Sequence, residues 1–203
     1  MMLDLLDDVN LVGLGWGENG FRQLYNNVHP INTVEDLKSL KIRSMETPIS
    51  VQMFQSWGVD PTVIPWMETY TALQQGTVDG GDGPATVWAG SQMGTVVKYA
   101  SLTNHLYTAG LIVGSKVSFD KLPSETVQLI KEVGQDAGVY MRGLVRDMES
   151  EALKSLEADG TVVNEVPAET RKQMAELASI VYDANREEIG AEFFDEVMGK
   201  LGK

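Results

Sequence analysis

The apolar positions fall first into two short stretches, VNLVGLGW and GFRQLY, on either side of Gly17 to Gly20. Their pattern predicts two strands joined by a glycine turn, with Arg22 inside the second. After Pro30, Thr33 followed by Asp36 has the form of a helix start, and a short helix to Leu40 is expected. KIRSM then reads as a strand. Thr47 as N-cap and Pro48 at the first helical position open a helix that carries Ile49, Met53 and Trp57 on one face and stops at Gly58. VDPTVIP is strand-like, with Val59, Pro61 and Val63 on one side. A helix from Pro65 or Trp66 follows, with Trp66, Tyr70 and Leu73 at helical spacing before Gly76. TVDGGD returns a short strand, and a helix near Pro84 carries Val87 and Trp88. TVVKYASLT and LYTAGLIVGS have the β-branched content of two buried strands. Strand and helix alternate through this region, which predicts an α/β sheet with short crossovers.

Beyond Leu122 the period changes. Val133, Ala137, Tyr140, Leu144 and Met148 mark an apolar stripe on a helix from Ser124 to Ala158, about 50 Å long at roughly 1.5 Å per residue. A helix of that length can bridge two lobes. TVVNEV is a further strand, and one or two helices follow Pro167, interrupted near Gly190.

Charge and composition narrow the function. With 43% hydrophobic residues in 203, the chain can bury a sizeable core. Its net charge of −13 and the absence of a Lys/Arg run argue against a nucleic-acid partner or an anionic membrane surface. An anionic small molecule stays open, because distant surface charges are screened within about 10 Å. No cysteine is present, which removes thiol catalysis and thiolate metal sites. No apolar run approaches the roughly 20 residues of a membrane span. MMLDLLDDVN is acidic where a signal peptide would be basic, so either export is not encoded here or the beginning is missing.

Arg43 is the strongest chemical candidate: a guanidinium forks around a carboxylate and stays charged at any physiological pH. The alternative is an arginine at a strand end paired with a surface acid. Trp66 can cover a ligand's apolar carbons and keep water from an Arg-carboxylate pair, or simply fill the core; Trp16 is a weaker candidate of the same kind. Asp79 and Asp82 among glycines lack the alternating ligands and terminal Glu of a calcium loop, and no Gly-Lys-Ser/Thr follows to make a phosphate loop, so neither metal nor cofactor is expected. No nucleophile elbow, zinc-protease helix or dinucleotide fingerprint occurs, and only two histidines are available as neutral-pH bases. A paired-carboxylate hydrolase using Asp79 and Asp82 is the enzyme alternative.

GWGENGFR, KIRSMETPI, YTALQQGTVDGGDGPA and FDKLPSETVQLI together resemble the solute-binding proteins of tripartite ATP-independent periplasmic (TRAP) transporters, the DctP-like family. The resemblance implies a periplasmic-binding-protein-like α/β fold of two lobes with a long lobe-spanning helix, a small carboxylate ligand, TRAP membrane permease subunits as partners, and a periplasmic location. It also implies that the first lobe is incomplete. Residues 1–19 and 108–147 would be its remnant plus the spanning helix, and 20–107 with 148–203 the second lobe; the exposed remnant suggests a dimer. In the family the arginine of K-I-R forms a salt bridge with the ligand carboxylate, which is the place of Arg43. Arg22 matches a second arginine that reaches the ligand or its surroundings, although Glu18 or Glu35 could simply be its partner. Gly83 stands where many members have a ligand-binding asparagine, and Asp82 stands for a glutamate. Asn104, beside His105, matches a stretch crossing between lobes near the cleft. A chain that has lost solute binding and persists as an interaction or assembly module is the competing class.

Overall fold

The computed structural model describes residues 2–202. Its first strand, β1 (Leu11–Asn26), is followed by β2 (Arg43–Ser44), α1 (Pro48–Ser56), β3 (Thr62–Val63), α2 (Trp66–Gln74), β4 (Gly80–Pro84) and α3 (Ala85–Gly90). Then come β5 (Tyr99–Ser115), α4 (Lys116–Phe119), α5 (Ser124–Ala158), β6 (Val162–Glu165), α6 (Ala168–Leu177), α7 (Ser179–Ile189) and α8 (Ala191–Lys200).

From β2 to β4 the expected α/β alternation is present. β2 and β3 pair in parallel, and Ile42 bridges Gly80 in parallel, with α1 and α2 as the crossovers. The helix boundaries have local causes. Pro48 occupies the first turn of α1, and Gly58 and Gly76 take the positive φ that lets the chain leave α1 and α2. Thr47 has the extended backbone of an N-cap, but its hydroxyl bonds Ser50 Oγ instead of a backbone amide. At Thr33 the short helix is a single 3-10 turn, Glu35–Ser39. There the Asp36 carboxylate accepts from the Asn32 and Thr33 amides while Thr33 Oγ1 accepts from the Asp36 amide.

The main sheet has the order β4-β1-β5-β6. β1 is antiparallel to both neighbours, and β5 is parallel to β6. Two expectations are corrected here. Gly17 to Gly20 is no turn: β1 runs through it unbroken, and the two stretches after Thr95 merge into the single strand β5. The ribbon bends by bulges instead, with register shifts at Gly13/Gly15, Glu18/Gly20 and Arg22/Leu24, and Gly20 takes a φ of +97° at one of them. Consecutive Leu24 and Tyr25 point to opposite faces, and each anchors its own core. Leu24 joins Phe54, Trp57 and Met174, while Tyr25 stacks on Trp88 beside Leu73 and Leu156, ring centroids 4.0 Å apart.

α5 spans the residues its sequence predicts, but the apolar stripe points the other way. Val133 is 58% exposed, Tyr140 72%, and Ala137, Leu144 and Met148 are also exposed. The buried face carries Gly134 and Gly138, one helical turn apart, in backbone contact with Leu14 and Trp16; a Cβ on either glycine would strike that strand. The ladder continues with Arg142, which donates to the Trp16 carbonyl, and Arg146, which pairs with Glu18. Three helices, not one or two, follow Pro167, separated at Ala178 and Gly190.

Candidate functional site

A cleft of about 400 Å³ opens where the end of β4 meets β1 and β2. Three strands and one helix build it. β2 delivers Arg43, β1 delivers Arg22, β4 delivers Asp82 and Gly83, and the first turn of α2 delivers Trp66.

Arg43 is only 3% exposed. Its Nε donates to the Ile64 carbonyl at 2.8 Å, which fixes the plane of the guanidinium. The group lies over the Trp66 ring, 5.7 Å from its centroid. Among the described residues no carboxylate lies within ion-pair distance of it. Burial lowers its pKa, Asp82 opposes that shift and Arg22 adds to it, so a bound anion would relieve an unmatched buried charge.

Arg22 is engaged differently. Its Nε donates to Asp82 Oδ2 at 2.5 Å and its Nη2 to the Asp82 carbonyl at 2.8 Å. Neither Glu18 nor Glu35 is its partner, since Glu18 pairs with Arg146 and Glu35 with Lys38. His105 Nε2 reaches the same Asp82 oxygen at 3.3 Å, and Nδ1 meets Thr103 Oγ1 at 2.7 Å. Burial alone would raise the Asp82 pKa, but the His105 and Arg22 contacts overcome it and hold the acid down to about 2. An acid ionised this firmly is no proton donor near neutral pH. Asp79 accepts from the Lys41 amide at 2.8 Å and is not among the residues that line the cleft, whereas Asp82 is.

The sequence profile of the bacterial extracellular solute-binding protein family 7 matches residues 1–188. The chain belongs to that family. It is 34% identical over 158 residues to the 2,3-diketo-L-gulonate-binding periplasmic protein YiaO of Escherichia coli (strain K12), covering 78% of this chain and 48% of the relative. A TRAP periplasmic solute-binding protein from Bordetella bronchispeptica, solved with density assigned to pantoate, superposes with a TM-score of 0.87 at 34% identity over 97% of this chain and 64% of that one. Another from Sulfitobacter sp. NAS-14.1, with bound β-D-galacturonate, gives 0.88 at 30% identity over 96% and 63%. The chain spans about half the length of the curated relatives it matches. The mixed α/β architecture is that of these two-lobed structures, and the family's characterised members are transport proteins rather than enzymes. Among the described residues no helix is long and apolar enough to cross a membrane.

Five of the residues singled out in the sequence of this family 7 chain, Arg43, Arg22, Trp66, Asp82 and Gly83, line one cleft. The glycine at 83 has a packing cause: a Cβ there would strike the Trp88 indole nitrogen. Asn104 does not join them. It sits at a bulge with φ +48°, its side chain accepting from Gln23 Nε2 at 2.6 Å and its amide donating to Gln23 Oε1 at 2.9 Å, and it lines a separate cavity of about 490 Å³ with His105, Trp57 and Arg171. Trp16 lies further along β1, held by the α5 contact. Missed as site residues in the sequence were Asn19, Met45, Glu46, Thr47, Pro84, Val87 and Thr108, which complete the cleft. Polar and apolar residues of such ordinary types carry no distinctive spacing.

Proposed function

We propose that this chain is the ligand-gripping part of an extracytoplasmic solute-binding protein that captures a small organic acid on Arg43 and hands it to a TRAP membrane permease in the periplasm. One observation carries the reading: a buried guanidinium stands in a cleft with no carboxylate partner among the described residues, backed by the Trp66 ring. Charge-assisted bonds to an incoming carboxylate are worth about 1.5 to 3 kcal/mol each once water is excluded. The bound acids of relatives, a galacturonate and a diketogulonate by name, are consistent with it. In this reading Arg22 supports the site by holding Asp82, and residues 20–107 with 148–203 act as one lobe, while 1–19 and 108–147 belong to the other.

Calorimetric titration of small carboxylates into the parent and into Arg43→Ala tests the proposal. The substitution is expected to weaken binding by about 2 to 5 kcal/mol, the range for stripping one partner from a buried charged pair. Arg43→Lys should rescue poorly, because an ammonium lacks the fork. Equal affinity of parent and Arg43→Ala would remove Arg43 from the site.

The outward apolar stripe on α5 favours a second reading, in which the chain is an assembly module that self-associates through Tyr140, Leu144 and their neighbours. Sedimentation at rising concentration separates the two. A monomer that binds acids supports the first, and a concentration-dependent mass without acid binding supports the second.

A further inference from the structure

The cavity of about 490 Å³ that Asn104 lines shares no residue with the Arg43 cleft. α1, α6, α7 and β5 enclose it. Its floor belongs to the core around Leu24: Met53, Trp57 and Met174 are buried there, and Trp57 Nε1 donates to the Met174 carbonyl at 2.9 Å, so this wall needs no polar partner. The walls that solvent reaches are apolar as well. Ile49 is 45% exposed and Tyr182 44%, Ala175 lies open beside them, and the Tyr182 ring is steadied by Phe194 of α8 at a centroid distance of 6.4 Å. Open apolar walls around a hollow of this size suit an apolar ligand body, and an aromatic wall suits a ring.

The polar groups of the lining differ in what they have left to offer. His105 is spent, with Nδ1 on Thr103 Oγ1 and Nε2 on Asp82 Oδ2. Asn104 uses its side-chain oxygen and its backbone amide on Gln23, which leaves its side-chain NH2 as a donor. Arg171 is 37% exposed, and its Nη1 meets Glu165 at 3.8 Å, where that carboxylate is itself 78% exposed. A long pair between exposed groups contributes little and is readily exchanged for a better acceptor. No Asp or Glu is among the lining residues, in a chain whose net charge is −13. The lining therefore offers an anion a guanidinium and an amide donor, and it offers a cation no counter-charge.

From this complementarity we infer a second ligand site between α1, α6, α7 and β5, which takes a carboxylate with an apolar, ring-bearing body. The carboxylate sits on Arg171 and the Asn104 amide, and the ring lies against Ile49, Leu106 and Tyr182. The site works without Arg43, so it stands or falls separately from the acid proposed for the first cleft.

Three compounds separate the terms: 4-phenylbutyrate has head and ring, butyrate has the head alone, and 4-phenylbutylamine has the ring with the opposite charge. Calorimetric titration into Arg43→Ala, whose first cleft lacks its guanidinium, isolates the second site. Phenylbutyrate should bind there as it does to the parent, and about tenfold or more tighter than either other compound, the equivalent of ~1.4 kcal/mol. Adding Arg171→Gln should cost phenylbutyrate about tenfold, because a charged fork becomes a neutral amide. Ala175→Trp, at an exposed position of the wall, should abolish binding by filling the hollow. Equal binding of phenylbutylamine overturns the charge argument, and equal binding of butyrate overturns the apolar one; either defeats the inference. So does phenylbutyrate that fails to bind the parent, that is lost in Arg43→Ala, or that binds unchanged in both Arg171→Gln and Ala175→Trp.

Discussion

The same two strands, β1 and β5, pass through two ends of unlike character. Near Arg22 to Asn26 and Tyr99 to Thr103 they are flanked by β4 and β6, and their side chains enter a core on each face. Toward Leu11 and Ser115 they pair with each other alone, α5 lies against β1, and Tyr107, Leu111 and Val113 stay exposed. Backbone pairing is of the same kind in both ends. The contrast teaches that ladder hydrogen bonds suffice to set a strand's path, while neighbours on its faces and edges decide whether its apolar residues stabilise the fold.

The strongest way to break this comparison is at the compact end, where Trp88→Ala is expected to cost about 3 to 5 kcal/mol in urea denaturation. A small effect there would deny that this end holds the core. Next is the acid response at the junction. The folded Asp82 pKa lies near 2, below its ordinary 3.8, so its contribution is complete above about pH 4 and lost as pH falls through 2. Acid unfolding of the parent should show this loss, and Asp82→Asn should lack it. At the ribbon end, Gly138→Val would force α5 off Trp16, for a cost of about 1 to 3 kcal/mol. Hydrogen exchange should then quicken along residues 12–18 before it changes at 22–26. Leu111→Ser should be smallest, within about 0.5 kcal/mol, because that side chain is already exposed. If it destabilised as much as Trp88→Ala, the two ends would not differ as described.

Much of this was legible in sequence where a local signal decides the structure. α5 has the predicted bounds because Pro123 precedes a long run without a breaking proline, and α1 and α2 follow from their prolines and closing glycines. Continuity of β1 was not legible, since Gly17 and Gly20 in isolation read as a turn; only pairing with residues 108–110 of β5 carries the strand past them, with Gly20 at φ +97° beside a bulge. The direction of the α5 stripe was hidden for a related reason. A hydrophobic period reports that a helix has two faces, but here the contact face is chosen by what can approach a backbone closely, and glycine scores poorly on any apolar scale. In the site, Arg43, Arg22, Trp66, Asp82 and Gly83 stood out by type and motif and meet in one cleft. Asn104 was drawn away by Gln23, a partner 81 residues distant, and Thr108 had nothing in its surroundings to mark it.

For anyone engineering this chain, the glycines of α5 set a trap. Helical glycine to alanine is a standard stabilising exchange, worth about 1 kcal/mol in propensity, and Gly134, Gly138 and Gly143 would be chosen alike. Gly143 faces open space and should accept the methyl with a gain, whereas at Gly134 and Gly138 the same methyl would meet the β1 backbone. Consensus or propensity scoring that ignores this would improve the helix as an isolated object and loosen it from the strand it serves.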